Sequence, residues 1–382
     1  MNENLNLIKD KLDLLKSKNY THKYLIPSLW KNSHNLEHIN TINVNPVLFY
    51  FNQIEKIEKL SNQNRIFFSN DTWTLESKVY NVFVRYVTSF DHNGDGIIDS
   101  QPNKYGLRET GTFLKLIGLL PYIYSLGVNT IYLLPVTAIG KDCKKGNLGS
   151  PYSIRNPYKL DENLSEPFLE LGVNEQYEAF VEAAHLLGIK VVQEFVFRTA
   201  SIDSELALEH PEWFYWIKSS VKNRKNDLQN EEKYGPPIFN PDELELIRKK
   251  VESGDLSKLI PPSKTYRKLF TEVPSKVARV EEKILGLTKA GVECKIPSAF
   301  ADWPPDDSQP LWTDVTYLRL YEHHRYNYIA YNTIRMYDED LAKSKFAVKE
   351  LWENICGIIP YYQTKFNRSE ERRVGKECRS RW

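Results

Sequence analysis

Ser77 to Ser100 reads SKVYNVFVRYVTSFDHNGDGIIDS, and this stretch decides the fold. Val79, Asn81, Phe83, Arg85 and Val87 alternate with Tyr80, Val82, Val84 and Tyr86. The run is β-branched and aromatic, without Pro or Gly, and predicts a strand buried on both faces. It ends in Asp91-His-Asn-Gly-Asp-Gly-Ile-Ile-Asp99. Oxygen-bearing side chains at alternate positions (Asp91, Asn93, Asp95 and then Asp99), with Gly to bend the chain, can wrap a hard cation such as calcium. A solvated polar turn is the plain alternative, but four side-chain oxygens at this spacing favour the ion site. It is not an EF-hand, because the twelfth position is Pro102 where a bidentate Glu is needed.

Beyond Ser100 the chain keeps a strand–helix rhythm. Gly111 to Ser125 has helical periodicity through Phe113, Leu114, Leu116, Ile117, Leu120 and Ile123, and Gly127 stops it. Val128 to Val136, VNTIYLLPV, predicts a second buried strand closed by Pro135. A loop rich in Lys, Gly, Asn and Pro fills residues 140–170. A second amphipathic helix spans about residues 173–187, with Gly188 as its stop signal. Ile189 to Ser201, IKVVQEFVFRTAS, predicts a third strand. This spacing predicts parallel β/α units with right-handed crossovers. All three strand C-termini then share one face, the one where β/α barrels place chemistry.

After Ser201 the rhythm breaks, and about 145 residues pass before the next core helix, too many for a loop. That helix is Val348 to Tyr362, with Val348, Leu351, Trp352, Ile355, Ile359 and Tyr362 on one face. The expected fold is therefore α/β: a partial (β/α)8 TIM barrel comprising the first three β/α units. The domains are an N-terminal extension (1–75), the three strands (76–201), an inserted subdomain (202–346), the third barrel helix (347–367) and a tail (368–382).

Bulk properties narrow the function classes. The 382 residues are 41% hydrophobic and 13% aromatic, enough for a large core. A net charge of +1 offers no electrostatic reason for a nucleic-acid or membrane partner. Cys143, Cys294, Cys356 and Cys378 lie far apart, with neither metal-ligand nor disulfide spacing. The leader MNENLNLIKDKLDLLKSKN is charged throughout and lacks the apolar core of a signal peptide. No apolar run reaches membrane-spanning length, so a cytoplasmic protein is expected.

These segments resemble the α-amylase superfamily (glycoside hydrolase family 13). Tyr80-Asn-Val-Phe-Val-Arg85 with the aspartate loop is similar to the first strand and calcium loop of its oligo-1,6-glucosidase-like members. Leu126 to Pro135 resembles the second-strand motif, and Gly188-Ile-Lys-Val-Val-Gln-Glu194 the third. The resemblance covers residues 77–220 and implies a structural calcium held by Asp91, Asn93, Asp95, Asp99 and the Ile97 carbonyl. It implies that Tyr152, in Ser150-Pro-Tyr152-Ser-Ile-Arg155, stacks on sugar. It also implies an α-glucan or maltooligosaccharide substrate and retaining double displacement.

The departures are specific. The family has Asp, Asn and His where this chain has Glu194, Arg198 and Thr199. Glu194 is read as lining the site without catalysing, against a structural salt bridge to a barrel Arg. Arg198 either pairs with Glu194 or binds an anion such as a sugar phosphate. Third strands without Asn-His occur in maltosyltransferase-like members, so glucan elongation stays open. A calcium-stabilised family member that only binds sugar or a partner is a further alternative.

The last fifteen residues, RSEERRVGKECRSRW, hold six Arg or Lys and three Glu. Without that +3, residues 1–367 carry −2. The string resembles translated sequencing-adaptor read-through, and it is left outside the fold. The family's nucleophile, acid/base and stabiliser would follow strands four, five and seven, so no residue here is assigned a catalytic role. A chain cut there is expected to be inactive. With open parallel edges, it is also expected to aggregate or lose tight packing.

Overall fold

Strand order follows chain order in the parallel sheet. The computed structural model describes residues 2–18, 20–31, 40–63, 73–142, 144, 146–197, 200–214, 216–219, 249, 271–296 and 349–366, and the backbone of 371–374. Arg198, Thr199, Cys143, Cys378 and the Trp303–Asp314 segment lie outside the described residues. The elements are α1 (Glu3–Ser17), β1 (Tyr24–Pro27), α2 (Ser28–Lys31), β2 (Thr41–Val44), α3 (Pro46–Gln63), β3 (Val79–Val82), α4 (Val84–Val87), α5 (Phe113–Ser125), β4 (Thr130–Leu133), β5 (Thr137–Ile139), β6 (Ile154–Leu160), α6 (Val173–Leu186), β7 (Lys190–Phe195), α7 (Leu206–Glu209), β8 (Ile217–Lys218), β9 (Lys276–Val280), β10 (Lys283–Leu287), β11 (Glu293–Lys295), α8 (Lys349–Lys365) and β12 (Glu371–Val374). They form two compact units. The first is Met1–Val136, Leu160–Phe195 and Ile359–Gly375; the second takes the rest.

In the first unit the sheet order is β3-β4-β7-β12, all parallel. Val79 pairs with Thr130 through to Val82 with Leu133, and Thr130 pairs with Lys190 through to Leu133 with Gln193. Among the described residues the sheet is open, not a closed barrel. Side-chain alternation sorts its faces. Ile131, Leu133, Val191, Gln193 and Phe195 are buried. The Tyr177 hydroxyl on α6 donates to Gln193 Oε1 at 2.8 Å, and the Phe195 ring packs 5.0 Å from that of Tyr362 on α8. Those residues face the helices. Asn81, Tyr132, Val192 and Glu194 therefore share the opposite face.

Helix α5 is buried almost all round, from Phe113 to Ile123. It is covered by α3 and α6, and α1 packs on α3 and α6 in turn. A Cβ on Gly118 would lie 2.9 Å from Tyr50 Cε1, so only glycine lets α3 approach this closely. Each large apolar side chain buried here contributes about 1.5–3 kcal/mol. The predicted helix stop is borne out: α6 ends at Leu186 and Gly188 takes φ +71°.

Three expectations need correction. The first strand was expected to run to Val87 with both faces buried. It stops at Val82, and Val79 and Tyr86 are 57% and 77% exposed. Its partner β4 still reaches it through Leu134 N–H, which donates to Val82 O at 2.9 Å. The chain turns instead through α4 and buries Arg85 against Asp161. The stripe on α8 runs through Leu351, Ile355, Ile358, Tyr362 and Phe366, so Ile358 takes the buried place expected of Ile359. The tail, left outside the fold, contributes a strand. The backbone of Glu371–Val374 pairs with Val192–Phe195. An unpaired parallel edge accepts any extended segment, because main-chain hydrogen bonds do not depend on side chains.

The second unit holds β5 and β6, which pair, and an antiparallel sheet in the order β8-β11-β10-β9. The insertion was expected to span 202–346, yet residues 137–159 belong with it. The ties are backbone bonds: Gly140 N–H to Ser153 O (2.9 Å) and Ser201 N–H to Ile154 O (2.8 Å). Lys141 N–H also donates to the Asp203 carboxylate at 2.9 Å. Among the described residues, no helix is long and apolar enough to cross a membrane.

Candidate functional site

The aspartate loop is shaped by its own side chains. Gly94 and Gly96 adopt φ of +81° and +85°, a region closed to most residues. Asp91 Oδ1 accepts from Gly94 N (2.6 Å) and Asp95 N (3.3 Å), and Oδ2 accepts from Gly96 N (2.7 Å). Asn93 Oδ1 accepts from Asp95 N at 2.8 Å, and Asp95 Oδ1 from Ile97 N at 2.9 Å. The Gly96 amide, with those of Gly94 and Asp95, holds the Asp91 carboxyl below the usual carboxylate range. Asp91 is thus anionic at neutral pH.

The donor set fits a hard cation. Asp91, Asn93, Asp95 and Asp99 offer only oxygen towards it, and a carboxylate with about four lone-pair sites can accept these amides and still ligate. Among the described residues, however, no three His, Cys, Asp or Glu side chains stand together as a ready cage. Asn93 Nδ2 instead donates to Asp95 Oδ2 at 3.0 Å. The Ile97 side chain is 64% exposed and packs little.

Sequence reasoning missed the residue that ties this loop together. Glu109 is buried. Its Oε1 accepts from His92 N (3.1 Å) and Asn93 N (3.2 Å), and its Oε2 from Asp99 N (2.9 Å). Behind it lies a buried polar layer. Lys115, on α5, has its ammonium 3.8 Å from the Glu166 carboxylate and donates to Thr110 O (2.9 Å) and Arg108 O. Glu166 accepts from Arg108 N and Thr112 Oγ1, both at 3.0 Å. Burial outweighs the mutual attraction on both sides: it pulls the Lys115 ammonium down to about 8 and pushes the Glu166 carboxyl up.

Glu194, half-buried on β7, accepts a hydrogen bond from the Tyr132 hydroxyl of β4 at 3.1 Å. The structure brings these two together on the sheet face turned away from the helices. Asn81, in register with Tyr132, lies exposed on the same face. Arg198, weighed as a partner for Glu194, lies outside the described residues. Tyr152 belongs to the second unit, where it is half-buried and its N–H donates to Ser150 Oγ at 3.2 Å. Near it in sequence, Arg155 pairs with Glu205 (3.5 Å) and Glu282 (3.6 Å). His210 stacks on Trp213 at 3.7 Å.

No protein-family model matches the chain. It is similar to the alpha-1,4-glucan:maltose-1-phosphate maltosyltransferase of Cereibacter sphaeroides, 35% identical over 116 residues, 28% of this chain and 19% of that protein. The enzyme of the same name from Myxococcus xanthus is 33% identical over 142 residues, 33% of this chain and 21% of that protein. That from Methylacidiphilum infernorum is 29% identical over 162 residues, 40% and 23%. The chain thus spans about a fifth of the length of these relatives. Among solved structures, an α-amylase from Lactobacillus plantarum aligns at TM-score 0.29 and 25% identity over 48% of this chain and 44% of that one. A maltogenic α-amylase from Thermotoga neapolitana aligns at 0.27 and 27% over 48% and 39%.

Proposed function

With the chain a member of the α-amylase superfamily, we propose that it supplies the first-strand to third-strand region of an enzyme acting on α-1,4-glucan, with maltosyl transfer as its reaction. The likeness to the maltosyltransferases carries this reading. The residues Glu194, Arg198 and Thr199, in place of Asp, Asn and His, go with it. The chemistry is retaining double displacement between two carboxylates about 5–5.5 Å apart, neither of them among the residues named above. The resemblance gives Glu194 and Arg198 sugar-lining roles and Tyr152 a sugar-stacking role. The Asp91–Asp99 loop binds calcium through Asp91, Asn93, Asp95, Asp99 and the Ile97 carbonyl, and the ion supplies rigidity rather than reactivity.

The test is to express the protein read from the intact locus and supply maltose 1-phosphate with an α-1,4-glucan. Phosphate release with glucan lengthened by two glucose units is expected. Hydrolysis of glucan alone would make it an amylase, and neither reaction would favour a calcium-stabilised binding protein. Residues 1–382 alone are expected to show neither activity.

A further inference from the structure

The cation loop is held from behind by one buried carboxylate and, through its second residue, by the N-terminal extension. Glu109 binds the amides of His92 and Asn93 at one end of the loop and of Asp99 at the other. Its main chain closes the same end, accepting from Phe90 N at 2.9 Å. With three amides on its two buried oxygens, it is tied to the backbone of the loop. His92, 4% exposed, makes a reciprocal contact with β1. Its carbonyl accepts from Leu25 N at 2.9 Å, and its Nδ1 bonds the Leu25 carbonyl at 2.6 Å. The Tyr24 ring lies 4.2 Å from the imidazole. Leu25 Cδ1 sits 3.0 Å from the point a Gly94 Cβ would occupy, so the strand fills the space that glycine leaves.

We propose that Glu109 is the positioning residue of the cation loop, and that His92 passes the loop's order to the N-terminal strand. Cation binding and docking of Tyr24–Pro27 are then thermodynamically linked. This rests on the calcium reading of Asp91–Asp99. Glu109 fixes where Asn93 and Asp99 stand, so a loop without it must order itself as the cation arrives. Linkage is reciprocal: whatever the docked strand adds to cation affinity, the cation returns to the strand.

The experiment uses the full chain, calcium chloride as the probe, and two readouts. Calorimetric titration compares wild type with Glu109→Gln, which keeps the volume but aims an NH2 at a backbone donor. Calcium affinity is expected to fall about tenfold, roughly 1.4 kcal/mol. Amide exchange at Leu25, whose N–H bonds the loop, is expected to slow with calcium in wild type and not in the variant, a response that a merely structural role would not produce. Should Glu109→Gln fail to fold, Leu25→Ala leaves the carboxylate in place, and its affinity is expected to fall about fivefold. Calcium bound equally by wild type and the folded variants, or exchange at Leu25 indifferent to calcium, overturns this inference alone. A wild-type chain that binds no calcium overturns the calcium reading together with it.

Discussion

Replacing Glu166 with Gln isolates the buried pair beneath the aspartate loop. Both Lys115 and Glu166 are fully shielded from solvent, with the ammonium 3.8 Å from the carboxylate. At an effective dielectric of about 20, that separation gives about 4 kcal/mol of attraction. The glutamine keeps the shape and can still accept from Arg108 N or Thr112 Oγ1, but the buried ammonium loses its counter-charge. Breaking one side of a buried pair costs about 3–5 kcal/mol. The assay is amide exchange of α5, at sites such as Leu116 N, which bonds Thr112 O at 3.0 Å. Protection there is expected to fall by about two to three orders of magnitude, at roughly 1.4 kcal/mol for each tenfold. Lys115→Met combined with Glu166→Gln removes both charges, and is expected to recover most of the loss. A fall of less than tenfold, or a double variant no better than the single, would refute the claim that Lys115 needs this carboxylate.

The loop, the buried lysine and the α3–α5 contact each give a further expected outcome. Calcium at about a hundred times its dissociation constant is expected to stabilise the first unit by about 2.7 kcal/mol, and an unmoved melting temperature would rule out the loop as its site. For Lys115, the folded ammonium titrates near 8 against 10.5 unfolded. The unfolded chain therefore binds more protons between those values, and stability rises with pH there and is lost as pH falls through about 8. Relative to Lys115→Met, wild type is expected to gain about 1.4 kcal/mol per pH unit between about pH 8 and 9.5; a flat difference contradicts the buried-charge account. Gly118→Val drives a side chain into Tyr50, and is expected to cost about 1–3 kcal/mol by thermal melt; a neutral result would mean α3 can shift freely.

How much was legible beforehand depended on the range of the interaction. β-branched and aromatic runs bounded by Gly and Pro marked β3, β4 and β7, and helical periodicity marked α5 and α6. Strand ends were overestimated: β3 stops at Val82, where the chain turns into α4 and Arg85 pairs with Asp161, 76 residues away in sequence. Glu109 carries no local pattern, and only the turn that folds it back onto the loop reveals its three amides. The insertion was legible as a break in rhythm, but its share of residues 137–159 was not, since backbone bonds such as Ser201 N–H to Ile154 O link segments with no shared composition.

By itself the sequence determined the alternation of strands and helices, and a loop of oxygen donors bent by two glycines. Both are local: side-chain periodicity and positive-φ turns act within a few residues. Only tertiary structure decided that Tyr132 meets Glu194, 62 residues apart, that Lys115 shares a dry layer with Glu166, and that β1 presses on the aspartate loop through His92. Those contacts exist because the register of β4 against β7 and the packing around α5 bring distant chain segments within hydrogen-bond reach. No spacing within one segment can encode that proximity.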